Sequence, residues 1–203
     1  MSDQEDLQPK LRREANTILQ RLPPSEREAL LIKCWMSHDA RWFMAAAREF
    51  GMPAANRLNQ IAVQAIGKLE AQRIVRALQL PPVTSLNGCL LAQEVFIGLL
   101  GPDLLDYGVS RVDDHAYHIH VRHCFAHDNV VRAGIADQFE CGIFARATSW
   151  LDALGLAYEI SPAIGKCLKA QGQECLYAIT ILAWSRMGAE ASKPAYTGGT
   201  GEC

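Results

Sequence analysis

The chain has 203 residues, of which 49% are hydrophobic and 21% charged, with 20 basic and 22 acidic side chains for a net charge of −2. This is the make-up of a soluble globular protein, long enough for one domain with a real core or one domain plus a helical extension. The charge is near balance with no basic stripe carrying interleaved aromatics, no apolar run approaches the ~20 residues of a bilayer-spanning helix, and the N-terminal MSDQEDLQPK is the reverse of a secretory signal, so neither nucleic acid nor membrane is an expected partner.

Residues 1–24 read as an N-terminal extension with one short helix over 11–22, ended by Pro23-Pro24. Ser25 followed by Glu28 has the spacing of a capping box and predicts a helix over 26–50. Gly51 suits its end, and Pro53 suits the first turn of the next helix, over 53–79. The link between them is too short for a wide crossover, so the two helices are expected as an antiparallel hairpin over 25–82, closed by Pro81-Pro82.

Each of these helices carries an apolar stripe at three- and four-residue steps. On the first it is Leu31, Cys34, Trp35, His38, Trp42 and Ala45; on the second it runs from Leu58 through Ile61, Ile66 and Leu69, with Gly67 a weak point. Both stripes are expected to face packed structure. His38 would then point inward with the tryptophans, with Asp39 at the stripe's edge, either as a satisfied core pair or as part of a pocket facing the second half of the chain.

Residues 83–187 read as an α+β region, compact with the hairpin. A third helix is predicted over 88–100, a strand over 107–112, a turn at Asp113-Asp114 and a strand over 116–124. A helix over 125–133, another from 140 or 141 to 153, a short strand over 156–161, a turn or short helix over 167–172 and a final apolar strand over 174–183 complete it. Residues 188–203, small and polar, are expected to be a disordered tail.

Five of the six histidines fall between His115 and His127, and Cys124 and Cys141 lie in or just beyond the same stretch. Strand alternation puts His118, His120, Arg122 and Cys124 on one face and Ile119, Val121 and His123 on the other. The seven cysteines, at 34, 89, 124, 141, 167, 175 and 203, are odd in number, contain no C-x-x-C and are expected as reduced thiols in the cytoplasm. Cys124 ends a strand, Cys141 opens a helix and Cys175 opens the last strand. A helix N-terminus favours a thiolate, so Cys141 is the first candidate for a reactive or metal-bound sulfur. Thiolates at neighbouring element ends can converge on one ion, and zinc is the first expectation for a mixed sulfur and nitrogen set. The spacing matches no short metal signature. A metal site, a metal-free pocket and purely structural cysteines all stay open at this level. No G-x-S-x-G elbow or phosphate-binding loop is present.

The second half, VRHCFAHDNVVRAGIADQFECGIF followed by KCLKAQGQECLYAITI, resembles the C-terminal region shared by 4-vinyl reductase-type domains and L-2-amino-thiazoline-4-carboxylic acid hydrolase-like proteins. Around Trp35, His38, Asp39, Trp42 and Phe43 the first half is similar to the N-terminal helix of an uncharacterised bacterial family related to that hydrolase. The resemblance covers roughly residues 25–185. It implies helices packed on one antiparallel sheet, similar to ligand-binding domains of nitric-oxide signalling and Golgi transport proteins, with Cys124, Cys141 and Cys175 as the positions of interest. Gly142-Ile143-Phe144 follows the middle cysteine where the hydrolase-like proteins tend to carry an acidic residue.

The expected function is binding of a small molecule in a pocket between the first long helix and the sheet, shaped by His38, Asp39, Trp42 and His120, with Cys124, Cys141 and Cys175 holding a metal or touching the ligand. The alternatives are a cysteine- or metal-dependent hydrolase of a small ring compound such as a thiazoline, with Cys141 as nucleophile and a histidine such as His38 as base, and a helical partner module in which the hairpin forms a homodimer surface.

Overall fold

Two prolines and one glycine lay out the first half. In the computed structural model, which describes residues 7–185, α1 spans Gln8–Leu19, α2 Pro24–Phe50 and α3 Met52–Leu78. Gly51 has φ +80°, a conformation that disfavours any side chain, and its N–H donates to the Ala47 carbonyl. The chain reverses there at once, giving the expected hairpin. The capping box does not form: α2 begins at Pro24, Ser25 is already helical, and no side chain caps the first turn. The tail over 188–203, with Cys203, lies outside the described residues, as do residues 1–6 of the extension.

The second half alternates as its patterning predicts. Helix α4 (Leu86–Leu100) is capped by the Ser85 hydroxyl, which accepts from Gly88 N–H at 3.2 Å. Then come β1 (Leu105–Arg111), β2 (Ala116–Cys124), α5 (Phe125–Arg132), α6 (Gly142–Ala153), β3 (Ala157–Ser161) and β4 (Cys175–Ala183). The Asp113 carboxylate holds the β1–β2 turn by accepting from the N–H groups of His115 and Ala116 at 2.7 and 2.8 Å. The four strands form one antiparallel sheet in the order β1-β2-β4-β3. The architecture is α+β. Among the described residues no helix is long and apolar enough to cross a membrane.

The core lies where α4 and α6 cover the inward side chains of β2 and β4. Tyr117, Phe96, Leu86, Leu151 and Ile181 are almost fully buried there. Gln93 and Tyr117 satisfy each other inside this core, with Nε2 2.8 Å from the phenolic oxygen.

Helix α3 meets α6 through small residues. Ala55, Gly67, Ala71 and Ile74 are its buried positions, together with Asn56 and Glu70. A Cβ on Gly67 would lie 2.7 Å from the Arg146 carbonyl oxygen, so the two backbones touch because that side chain is missing. One turn on, the Glu70 carboxylate accepts from Arg146 Nε at 2.7 Å and from Trp150 Nε1 at 2.6 Å. The two stripes expected in the core face outward instead. Leu31 is 70% exposed, Trp42 60% and Ile61 60%. The half-buried side of α2 is Ile32, Met36, Phe43 and Met44. Close backbone contact and a buried ion pair outrank hydrophobicity in choosing which face of α3 packs, and the larger side chains are turned out.

Gly67→Ala is expected to cost about 1–3 kcal/mol by overpacking against backbone, and Glu70→Ala about 3–5 kcal/mol by leaving the half-buried Arg146 guanidinium and the buried Trp150 N–H without their acceptor. Gly98→Ala, at a helical site with nothing within 4 Å of the added carbon, is expected to stabilise by about 0.5–1 kcal/mol. Urea denaturation midpoints of the three variants check the ordering.

Candidate functional site

The site is assembled by an irregularity in β2. Asp106 pairs with His123 and Tyr107 with Val121, so Arg122 has no partner across the ladder. This bulge changes the parity of the strand end. Val121 and Cys124 are both buried, while Arg122 and His123 are exposed. Cys124 therefore turns inward, off the histidine face on which simple alternation placed it. The Arg122 guanidinium grips Asp106, with Nε 3.0 Å from Oδ2, and the Arg122 carbonyl accepts from Lys169 Nζ at 2.8 Å. Lys169 thus ties the bulge to the segment that carries Cys167.

Two other short segments pair beside it. Cys141 N–H donates to the Gly165 carbonyl at 2.7 Å, and Cys167 N–H donates to the Phe139 carbonyl at 3.1 Å, with Glu140 bridged to Lys166. Amides of α3 hold the first segment: Asn56 Nδ2 donates to the Gln138 carbonyl at 2.7 Å and Gln60 Nε2 to the Cys141 carbonyl at 3.1 Å. Cys175 opens β4 opposite Val121. The result is that Cys124, Cys141, Cys167 and Cys175 line one cavity of about 20 Å³, closed by Phe144, Leu168 and Tyr177.

All four thiols are buried. Burial pushes Cys141 up to about 11, against hydrogen bonds from the Phe144 and Ile143 N–H groups at the start of α6. Burial, with the neighbouring thiols adding to it, pushes Cys175 to about 12. Cys124 is raised by burial too, although the N–H groups of His127 and Ala126 act against it. Two sulfurs thus receive the backbone donors of a helix start, the arrangement that suits thiolates, while desolvation keeps them protonated. The Tyr177 hydroxyl is buried and has no hydrogen-bond partner among the described residues.

Two apolar cavities lie on the other side of the first turn of α6. One, of about 140 Å³, is bounded by Met36, Asp39 and Phe43 of α2, Val63 of α3, Val130 of α5 and Ile143 of α6. The second, of about 80 Å³, runs toward the sheet along Leu105, Ile119 and Val121. Met36, Phe125, Ile143 and Arg146 are walls of both. Arg146, held by Glu70, also lies 5.0 Å from the centre of the Trp35 ring.

The structure brings together Cys124, Cys141 and Cys175, adds Cys167, and leaves the expected imidazoles elsewhere. His38 and Trp42 are on the exposed outer side of α2 and line none of these cavities; Asp39, a little over a quarter turn from His38, reaches the larger one. His120, opposite Gly108 and Leu176, stands on the sheet face away from the helices. His38 is therefore not placed to act on Cys141, and no His, Asp or Glu lines the thiol cavity. Among the described residues no group of three or more His, Cys, Asp or Glu side chains is arranged to hold a metal ion. Sequence reasoning missed Arg146, Glu70 and Ile143, since nothing local marks a residue as a wall between two cavities. Cys167, eight residues before Cys175, was in view without a partner to place it.

A family model described as a family of unknown function (DUF6125) matches residues 27–158. The chain belongs to that family. No curated protein matches it. Among solved structures it is similar to a trafficking protein particle complex subunit 3 from Naegleria fowleri, covalently bound to palmitic acid, at 11% identity over 80% of this chain and 99% of that one, with a TM-score of 0.45.

Brief alkylation at pH 7.5 is expected to modify the exposed Cys34 and to spare Cys124, Cys141 and Cys175 until the chain unfolds. Their protonated forms are the ones favoured by folding, so raising the pH to 9 stays well below the folded values of about 11 and 12 for Cys141 and Cys175 and should not release those two. Peptide mass mapping after timed quenching reads this out.

Proposed function

We propose that the chain is a binding protein for a compact apolar molecule, held between α2, α3, α5 and α6, and that it is related to the 4-vinyl reductase-type domains its cysteine pattern resembles. The observation that carries the ligand reading is the 140 Å³ cavity with its adjoining 80 Å³ extension. The larger space is close to the ~150 Å³ at which an engineered apolar cavity takes up benzene. Its walls are mainly aliphatic and aromatic, with the Asp39 carboxylate, the Asn59 and Asn129 amides and the Arg146 guanidinium as the polar groups available to orient a ligand. A single ring with one polar substituent matches that combination.

The test uses phenol and toluene as probes. Each is expected to raise the melting temperature in proportion to the logarithm of its concentration above Kd, and Ala40→Trp, which fills the cavity from α2, is expected to abolish the shift while leaving the parent melting temperature within a few degrees. Absence of any shift at millimolar probe, in both proteins alike, overturns the reading.

A second reading concerns the thiol cavity. Four sulfurs from four segments are the number and kind of donors that a structural zinc site takes, two of them receive backbone N–H groups, and the unpartnered Tyr177 hydroxyl lies at the same cavity. The donor types suit zinc, while among the described residues no three of them are yet placed to hold an ion. The thiols must draw together to grip an ion, and binding must displace their protons. Cys124, Cys141, Cys167 and Cys175 would hold the ion, which would supply structural support to the start of α6. Elemental analysis of untagged protein is expected to give one zinc per chain, lost in Cys141→Ser and in Cys167→Ser. Metal-free protein with these four thiols titrating after mild unfolding would overturn this reading without touching the ligand reading. A hydrolase built on Cys141 has less to support it, because the nucleophile is buried and protonated and no general base lines its cavity.

A further inference from the structure

Helix α2 shows the solvent a face with a regular order. Its outward line begins with Arg27, continues through Leu31, Trp35, His38, Trp42 and Ala45 at helical steps, and ends at Glu49. Every one of these residues is exposed. The apolar middle is long, about 21 Å from Leu31 to Ala45 at 1.5 Å per residue. Further exposed apolar side chains stand on α1, whose residues are all exposed. A lone helix of α1's length is marginal in water unless something covers it. Leu11 and Ile18 on α1 and Leu58 and Ile61 on α3 are exposed as well.

The charges at the two ends of the α2 face identify the occupant. Turned end over end about His38, the two ends of the face exchange places, and Trp35 falls against Arg41. Position 27 meets 49, 28 meets 48, 31 meets 45, 34 meets 42, and His38 meets its own copy. Arg27 then faces Glu49 and Glu28 faces Arg48, opposite signs at both ends, and by symmetry each pair occurs twice. Among the described residues none of these four side chains enters an ion pair. A parallel pairing would set each charge against its own kind. An unrelated partner has no reason to match a pattern that is its own reverse complement.

We infer that α2 is the contact helix of a homodimer, packed antiparallel against α2 of a second copy with the two-fold axis at His38. The inference does not depend on the ligand or metal readings, since none of the paired positions 27, 28, 31, 34, 42, 45, 48 and 49 lines the apolar cavities or the thiol cavity. Trp42 inserts beside Cys34 of the second copy, and Leu31 packs on Ala45.

Sedimentation of the full chain should give twice the 22.4 kDa chain mass at tens of micromolar. Trp42→Glu should give the single-chain mass with unchanged far-ultraviolet circular dichroism. Arg27→Glu alone should weaken association about tenfold, because it sets like charges opposed at two symmetric places. Arg27→Glu combined with Glu49→Arg should restore it to within a few-fold of the parent. A hetero-partner surface predicts no such rescue. A parent chain that stays at 22.4 kDa at 100-fold higher concentration, a dimer indifferent to Trp42→Glu, or a double variant no tighter than the single one would each overturn the inference.

Discussion

Helix α6 can lie against α3 at backbone distance because Gly67 has no side chain to hold it off, and the pair is then locked by the Glu70 carboxylate, which takes donors from Arg146 and Trp150 on successive turns. That contact fixes where α6 starts. Its first turn is at once the end of the thiol cluster, through Cys141, and the wall of the apolar cavities, through Ile143. Its last turns carry Trp150 and Leu151 into the main core. A buried ion pair is not a source of much net stability compared with an apolar replacement. Its effect here is to set one register between two helices that otherwise meet through alanine and glycine.

The thiol cluster depends on a second local device. A bulge costs one ladder position and leaves a carbonyl to satisfy, and Lys169 supplies the donor from across the sheet end. The two segments thereby joined carry Cys124 and Cys167, while the short pairing of residues 139–141 with 165–167 brings Cys141 alongside. Four sulfurs separated by up to fifty-one positions in the sequence meet through three backbone arrangements, and none of the three involves sulfur. The cluster is therefore a property of the fold, present without any bond between its members.

Much of the fold is legible in residue order. Strand β2 runs over the residues its alternation predicts, and glycine and proline punctuation places the hairpin within one or two positions of Gly51 and Pro53. Legibility fails where two periodicities compete. Leu58, Ile61 and Leu69 make the stronger stripe on α3, yet the packed face is the weaker one at Ala55, Gly67 and Ala71, because closeness of backbones and the Glu70 pairing are invisible to a hydrophobicity count. Phase was also lost at Arg122: alternation was followed through to Cys124, and one unpaired residue inverted it. For the site, the chemistry of the cysteines was readable and their neighbours were not, since His38 and His120 owed their place in the expected pocket to a helix face and a strand face that both turned the other way.

Ile143 is a boundary of three spaces at once, the two apolar cavities and the thiol cluster. A partition shared in this way cannot be displaced on one side alone. Any occupant that draws Cys141 toward its sulfur neighbours repositions the adjoining backbone of Gly142 and Ile143, and whatever free energy this adds to or subtracts from filling the neighbouring space must appear with equal size when the order of filling is reversed. The first turn of α6 is thus a thermodynamic junction between the space the thiols line and the apolar space beside it.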